Sequence, residues 1–459
     1  MAASSIADAS RPPQVHIVGA GLAGLAAAVD LAAQGCHVSL YEAGPQAGGR
    51  CRSFVDSELG CRIDNGNHLL LSGNTSALAY INRIGALDTF EPAGEAAIPF
   101  VDVATGERWT VRPGPGRMPW WLLDAARRVP GTRAPDYFAA LRLRFAPHEG
   151  TVAAMLPTDT ALFHRLWEPI TVAALNTGAS EASARLVWRI LAETLGRGAA
   201  ACRPLLPSLG LSESLVDPAL AFLARHGGRV RFGARLKALA FTGGRVGELL
   251  FDEAAVTLAP QDSVILAVPA AIAERLIPGL TVPDDYAPIV NAHFRYTLPP
   301  QAAVFTGVIG ATAEWVFRKR DIVSVTVSAA DRIVGCSAGE LRDVLWRDVA
   351  LVHGLPPGSV PPARIIKERR ATFRATPAQL RRRPATATNW PNLHLAGDYV
   401  ETGLPATIEG AIRSGFAAAA QIRQSRFRVP ATQLSTVQPG PMPAHGTSRP
   451  IEDCQRALP

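Results

Sequence analysis

An α/β nucleotide-binding domain, interrupted by an inserted α+β domain of mixed sheet and helices, is the fold class this 459-residue sequence predicts. Three observations predict it. A glycine-patterned strand, turn and helix opens the chain, a second strand, turn and helix stands near its carboxyl end, and strand-like returns between them are separated by blocks of different character.

The opening stretch, Val15 to Arg50, reads VHIVGAGLAGLAAAVDLAAQGCHVSLYEAGPQAGGR. Val15–Val18 is an apolar strand that runs into Gly19-Ala20-Gly21-Leu22-Ala23-Gly24. This is the glycine spacing of a dinucleotide-binding turn. Gly19 makes the tight turn, Gly21 lets backbone approach a pyrophosphate, and Gly24 lets the helix pack on the sheet. An Ala/Leu-rich helix follows from Leu22 to about Gln34 and offers its first N–H groups, at Leu22 and Ala23, to the phosphates. The next strand, His37–Tyr41, ends at Glu42-Ala43, where the carboxylate can accept ribose hydroxyls and repel a 2′-phosphate. Gly48-Gly49-Arg50 then allows a second close approach, with an arginine to pair with phosphate.

Later segments return to this domain. A helix pattern within Leu215–Leu239 leads through Gly227-Gly228 to a strand at Arg229–Phe232, and further strands are expected at Ser263–Val268 and Asn392–Ala396. The nucleotide-binding domain is therefore assembled from residues 14–74, 206–283 and 386–427, and a substrate-binding domain from 75–205 and 284–385. The alternation in Ile322–Ser328 suits a half-solvated antiparallel strand. Residues 1–13 and 428–459 read as disordered ends.

Near the carboxyl end, LHLAGDYVETGLPATIEGAIRSG presents Gly397-Asp398 at the mouth of a strand. The turn Gly403-Leu404-Pro405 launches a helix at about Ala406-Thr407, with Pro405 in its first turn. Gly410, Ser414 and Gly415 let that helix lie close to another backbone. Its N-terminus suits negative charge.

Three further segments bear on the cavity. Met118–Pro130 places Trp120 and Trp121 beside leucines, with Arg127 and Arg128 at helical spacing; it suits either a membrane interface or a buried amphipathic helix. Ala161–Asn176 supports the pocket, with His164 at the surface. In Cys61–Gly73, a short strand at Arg62-Ile63 leads to Asp64-Asn65-Gly66-Asn67-His68, a turn whose side chains are expected to bond their own backbone. His68 is the nearest acid for catalysis.

Composition narrows the classes. The chain is 48% apolar with a formal charge of +7, carried almost wholly by arginine because only Lys237, Lys319 and Lys367 are lysines. No interleaved basic and aromatic motif points to nucleic acid, and no apolar run reaches the roughly 18 residues of a spanning helix. The amino end lacks a secretory pattern. Six cysteines without metal spacing read as reduced thiols of a cytoplasmic protein, and no metal is expected.

Together, the VHIVGAGLAGLAAAVDLA, YEAGPQAGGRCRS, GCRIDNGNHLLLSGN, LWEPITVAALNT and GDYVETGLPATIEGAIRSG motifs resemble the bacterial hydroxysqualene dehydroxylases of hopanoid biosynthesis, in the flavin amine oxidase superfamily. Gln46 departs from the arginine often found two residues before the glycine doublet. The resemblance implies an amine-oxidase-like fold and a noncovalent FAD held by Gly19, Gly21, Leu22, Ala23, Gly24, Glu42, Ala43, Gly48, Gly49, Arg50, Gly66, Asn67, Gly397, Asp398, Pro405, Ala406 and Thr407. It also implies reductive removal of a hydroxyl from an apolar isoprenoid, with His68 or Tyr399 delivering the proton, and an electron donor that the sequence does not identify. Peripheral contact with the inner face of the cell membrane is expected from the substrate and the aromatic block. A carotenoid-type desaturase or isomerase, an amine oxidase and a non-catalytic lipid carrier are the competing readings. The strand segment Asn291-Ala292-His293 lacks the lysine common in amine oxidases.

Overall fold

The computed structural model describes residues 11–91, 94–356 and 358–427. Most of the two ends read as disordered lies outside these residues. Among the described residues, no helix is long and apolar enough to cross a membrane.

Strand β1 (Gln14–Val18), helix α1 (Leu22–Ala32) and strand β2 (His37–Tyr41) open the chain. They enter a five-stranded sheet whose order is Arg229–Arg231, β2, β1, Ser263–Leu266, Leu393–Leu395. Every pairing in it is parallel. Strands from widely separated stretches share this sheet because the inner ones are short, apolar and buried on both faces, whereas the edge strand Arg229–Arg231 leaves its two arginines exposed. Val15, Ile17, Ile265, Leu393 and Leu395 have no exposed surface.

The long helix Ile408–Phe427 lies on α1. A side chain at Gly415 would meet the Ala23 carbonyl oxygen at 2.2 Å, so glycine sets this contact. The helix starts two residues later than Pro405 led us to expect. Thr407 caps it instead, its hydroxyl accepting from the Gly410 N–H at 3.1 Å, and a cap of this kind fixes a start more firmly than a nearby proline. Ser414 reaches back, accepting from the Gly397 N–H at 2.8 Å.

A seven-stranded sheet forms the second layer system, in the order Ala363–Phe373, Tyr286–Arg295, Ile322–Val327, Trp315–Lys319, Phe305–Ile309, Ile98–Asp102, Arg108–Val111. All pairs are antiparallel except Phe305–Ile309 with Ile98–Asp102. The expected half-solvated strand at Ile322–Ser328 is instead buried on both faces. Val323, Val325 and Val327 pack with Leu341, Leu345 and Val349 of helix Ala338–His353, while Ser324 and Thr326 meet polar groups of the candidate site. The alternation was real, but the polar face looks into the protein. Met118–Pro130 is also not a helix of either expected kind. It forms two short 3₁₀ turns, Trp120–Leu123 and Ala125–Arg127.

Candidate functional site

The glycine turn has the shape its sequence implies. Gly19 sits at φ +104°, and a side chain there would meet the Ala267 carbonyl oxygen at 2.3 Å. A side chain at Gly24 would meet the Gly19 carbonyl oxygen at 1.9 Å. Gly21 differs, with nothing within 4 Å of its would-be side chain. Two glycines thus serve packing and one borders open space. No side chain caps α1 at Gly21, so the first N–H groups, with buried Leu22 and Ala23 behind them, keep their capacity for a phosphate.

Glu42 closes the turn from β2. Its carboxylate accepts from the N–H groups of Ala20 and Gly44, both at 2.8 Å, which leaves lone pairs for hydroxyl donors. Ala43 beside it is exposed. The Gly48-Gly49 doublet folds onto the same turn: the Gly48 N–H donates to the Ala20 carbonyl at 2.8 Å, and Gly48 bridges Gly21. A side chain at Gly49 would stand 3.5 Å from the Gly21 Cα. These features form a backbone cradle that side chains would fill, and they fit a dinucleotide pyrophosphate.

Arg50 extends from the doublet to Asp398 at 2.8 Å and donates to the Ala371 carbonyl. The amino-end and carboxyl-end motifs therefore converge. Pro405 is buried, while Ala406 and Thr407 are partly exposed at the start of the long helix. The turn carrying them is organised by a residue that sequence reading missed. Arg383 is buried and donates to the carbonyls of Asp398, Tyr399, Val400 and Leu404, the last at 2.7 Å. It also lies 5.4 Å from the Phe373 ring centroid. A lone arginine in the RRRP run gave no signal, because the neighbouring Arg381 and Arg382 pair with surface acids.

The turn at Asp64–His68 behaves differently from expectation. Its side chains reach distant elements rather than their own backbone. Asp64 accepts from the Ser53 hydroxyl at 2.7 Å, the Leu211 N–H at 2.9 Å and Lys319 Nζ at 2.7 Å. Burial alone would push the Asp64 pKa up, but the Lys319 charge and these hydrogen bonds bring it below the ordinary value. Asn67 donates to the Thr326 hydroxyl at 3.0 Å, and Thr326 donates to Asn291 Oδ1 at 2.8 Å. Asn291 in turn covers Gly66: its Nδ2 would lie 3.0 Å from a side chain there. Lys319 was the second missed residue. A cation reaches this region from the strand Trp315–Lys319, not from Asn291-Ala292-His293.

His68 lines a cavity with Asp64, Asn67, Leu211, Phe317 and Lys319 among others. Burial lowers its pKa, Asp64 opposes that shift and Arg50 adds to it, so the ring rests neutral. Tyr399 is not part of that lining. Its ring stacks back over Gly397 and is 2% exposed in the apolar cluster with Val18, Leu266 and Leu395. Burial drives its pKa upward, with Asp398 and Tyr286 adding to the shift, so the hydroxyl stays protonated. His164 is a surface residue 3.3 Å from Glu168.

One registered row crosses the large sheet and ends at this polar spot. In order it is Trp109, Phe100, Gly307, Trp315, Thr326, Asn291. Directly paired residues share a face. Phe100 stacks on Trp109 at 5.6 Å and meets Trp315 at 5.6 Å. A side chain at Gly307 would strike the Phe100 ring at 2.5 Å, so glycine makes room for the aromatics. The adjacent row runs Phe305, Phe317, Ser324, His293. An aromatic face thus passes into a polar one beside Gly66.

The flavin containing amine oxidoreductase family model matches residues 22–423. The chain is 47% identical to the hydroxysqualene dehydroxylase of Rhodopseudomonas palustris over 406 residues, covering 88% of this chain and 97% of that protein. It is 45% identical to the hydroxysqualene dehydroxylase of Zymomonas mobilis, over 88% and 97% of the two chains. Among solved structures, cyclohexylamine oxidase from Brevibacterium oxydans superposes with a TM-score of 0.65 at 16% identity, covering 91% of this chain and 100% of that one. Putrescine oxidase bound to putrescine superposes with a TM-score of 0.63 at 17% identity, covering 90% and 99%. These two likenesses establish the amine-oxidase-like fold.

Proposed function

The chain belongs to the hydroxysqualene dehydroxylase family of flavin containing amine oxidoreductases, and we propose that it removes the hydroxyl of hydroxysqualene to give squalene for hopanoid biosynthesis. It is an FAD-dependent oxidoreductase. The observation that best supports this substrate is the row from Trp109 to Asn291, an aromatic face that ends in hydrogen-bonding groups beside Gly66. A long hydrocarbon with one polar carbon matches that order of surfaces.

Gly19, Gly21, Leu22, Ala23 and Gly24 would hold the pyrophosphate, with Glu42 and Ala43 on the adenosine side. Gly48, Gly49, Arg50, Gly66, Asn67, Gly397, Asp398 and Pro405 to Thr407 would hold the flavin half. Reduced FAD supplies a hydride when bound, after an external donor has reduced it.

The protein does the rest. His68 would take up a proton from solvent and pass it to the substrate hydroxyl, the C–O bond would break, and water would depart. The carbon left electron-poor would accept the hydride that bound, reduced FAD would supply, so that one C–H bond replaces the C–O bond and the proton and hydroxyl leave as water. We assign this relay to His68 rather than Tyr399 because His68 lines the cavity. Asp64, held ionised beside Lys319, favours the protonated imidazole each time it forms. Aromatic faces would stabilise the cationic carbon, and the reaction requires that water be kept from it.

The substrate would be drawn from the cytoplasmic face of a membrane. Product analysis with photoreduced holoenzyme tests the reading. Squalene from hydroxysqualene is expected, whereas no squalene, or conversion of phytoene instead, would overturn it.

A further inference from the structure

Residues 118–145 form an outward apolar ledge. It is built on 3₁₀ turns at Trp120–Leu123, Ala125–Arg127 and Ala134–Phe145. Side chains three apart eclipse one another in such a helix. The last turn keeps that period, with Tyr137, Ala140, Leu143 and the following Ala146 buried. The positions between them should then be polar, as on a solvated face. Phe138, Leu141 and Phe145 are instead 51%, 48% and 76% exposed. Trp120 at 68% and Leu123 at 72% repeat the arrangement beside buried Trp121 and Leu122.

The turns are tied into one unit. Trp121 meets Tyr137 edge to face at 5.9 Å, and the Tyr137 hydroxyl accepts from the Val129 N–H at 2.8 Å. With Met118, six of the eleven large apolar side chains exposed among the described residues lie on this ledge. Singly scattered surface hydrophobics need no explanation, but a concentration of this kind marks an interaction site.

Charge identifies the partner. Between residues 111 and 145 the sequence has seven arginines and two carboxylates, Asp124 and Asp136. Both carboxylates have an arginine neighbour, at 3.3 and 3.6 Å, which leaves a cationic surplus among the exposed aromatics. Arg144 lies over the Phe145 ring at 5.5 Å. An anionic bilayer presents phosphates above hydrocarbon, the complement of arginines interleaved with aromatic and aliphatic tips.

The ledge also joins the sheet that carries the aromatic row. The Arg112 N–H donates to the Arg127 carbonyl at 3.1 Å, which links the ledge to the edge strand Arg108–Val111. That strand carries Trp109, the first residue of the aromatic row.

We propose that this ledge docks the protein on an anionic lipid bilayer, with Trp120, Leu123, Phe138, Leu141 and Phe145 entering the interface and the arginines at the headgroup phosphates. The bilayer then lies on the side of the sheet that ends in the strand Arg108–Val111, and an isoprenoid enters from that side. This entry role rests on the substrate reading above.

The test uses full-length holoenzyme and flotation with phosphatidylcholine vesicles, with or without phosphatidylglycerol. Wild type is expected to float with the phosphatidylglycerol vesicles and to be released by salt. A Trp120→Ser/Phe138→Ser/Phe145→Ser variant and an Arg142→Glu/Arg144→Glu variant should each partition about tenfold less. Both should keep wild-type flavin absorbance and the wild-type rate on hydroxysqualene in detergent micelles, and lose rate on hydroxysqualene in vesicles. Wild type that fails to float, or both variants floating as wild type does, overturns the proposal. So does a wild type that self-associates through this ledge and ignores vesicles. Flotation by a wild type that leaves hydroxysqualene unchanged in micelles removes the substrate reading and retains the docking surface.

Discussion

Arg50 and Asp398, from opposite ends of the chain, meet at 2.8 Å, and the same guanidinium donates to the Ala371 carbonyl. Three segments that enter the fold separately are joined at one side chain. If this junction shapes the flavin half of the cofactor site, Asp398→Asn should weaken FAD binding by about tenfold to a hundredfold, the range of a charge-assisted hydrogen bond. Titration of the apoprotein followed by flavin fluorescence measures it. Unchanged affinity would place the junction outside the site.

Gly21 and Gly24 separate binding from folding. The backbone at Gly21 has φ −71°, which alanine adopts, and the space beside it is open. Gly21→Ala should therefore fold with a near-native thermal midpoint and bind FAD at least about tenfold more weakly, because its methyl occupies the approach to the pyrophosphate. Gly24→Ala drives a methyl into the Gly19 carbonyl and should cost about 1–3 kcal/mol of stability, the range for overpacking. Thermal denaturation and FAD titration on both variants resolve the two effects.

Arg383 holds the turn that bears Asp398 and Tyr399 through four backbone carbonyls. Arg383→Met leaves those acceptors buried without their donors, so a loss of several kcal/mol is expected. Arg383→Lys keeps the charge but not the planar fork, and should fold while retaining less FAD. Flavin content after gel filtration, with the urea midpoint of each variant, checks this. Equal FAD retention by the lysine variant would reduce Arg383 to a charge.

Burial pulls His293 and His394 from the ordinary 6.5 down to about 4. Between those values the unfolded chain binds more protons than the folded one. Stability is therefore full above pH 6.5 and is lost as pH falls toward 4, by on the order of 3 kcal/mol for each ring. His394→Leu should flatten the fall in urea midpoint between pH 7 and 5, an interval set by this window. Its two ring nitrogens are buried without a hydrogen-bond partner, so the leucine variant should be no less stable at pH 7.

The glycine turn, the strands of the parallel sheet and the two converging motifs were legible because each is a local pattern with one physical reading. Gly19, Gly24 and Gly415 announce close backbone approach in the sequence itself. Other features were hidden because their partners are remote. Ser324 and Thr326 alternate as a solvent-facing strand would, and only the fold reveals that the polar face meets Asn67, Asn291 and His293. Asp64 looked like a turn former because Lys319 and Leu211 come from distant segments. Arg383 was masked by two similar neighbours that serve the surface. The 3₁₀ turns at Trp120–Leu123 and Ala125–Arg127 resemble an α-helix in sequence because the two periods are hard to separate over so few residues.

The most direct test is an anaerobic single turnover of photoreduced holoenzyme mixed with hydroxysqualene, with flavin absorbance and product followed together. Reoxidation of the flavin is expected, with one squalene formed per flavin oxidised, and a much slower reaction in His68→Gln with unchanged FAD content. Flavin that stays reduced in the presence of hydroxysqualene, with no squalene formed, would contradict it.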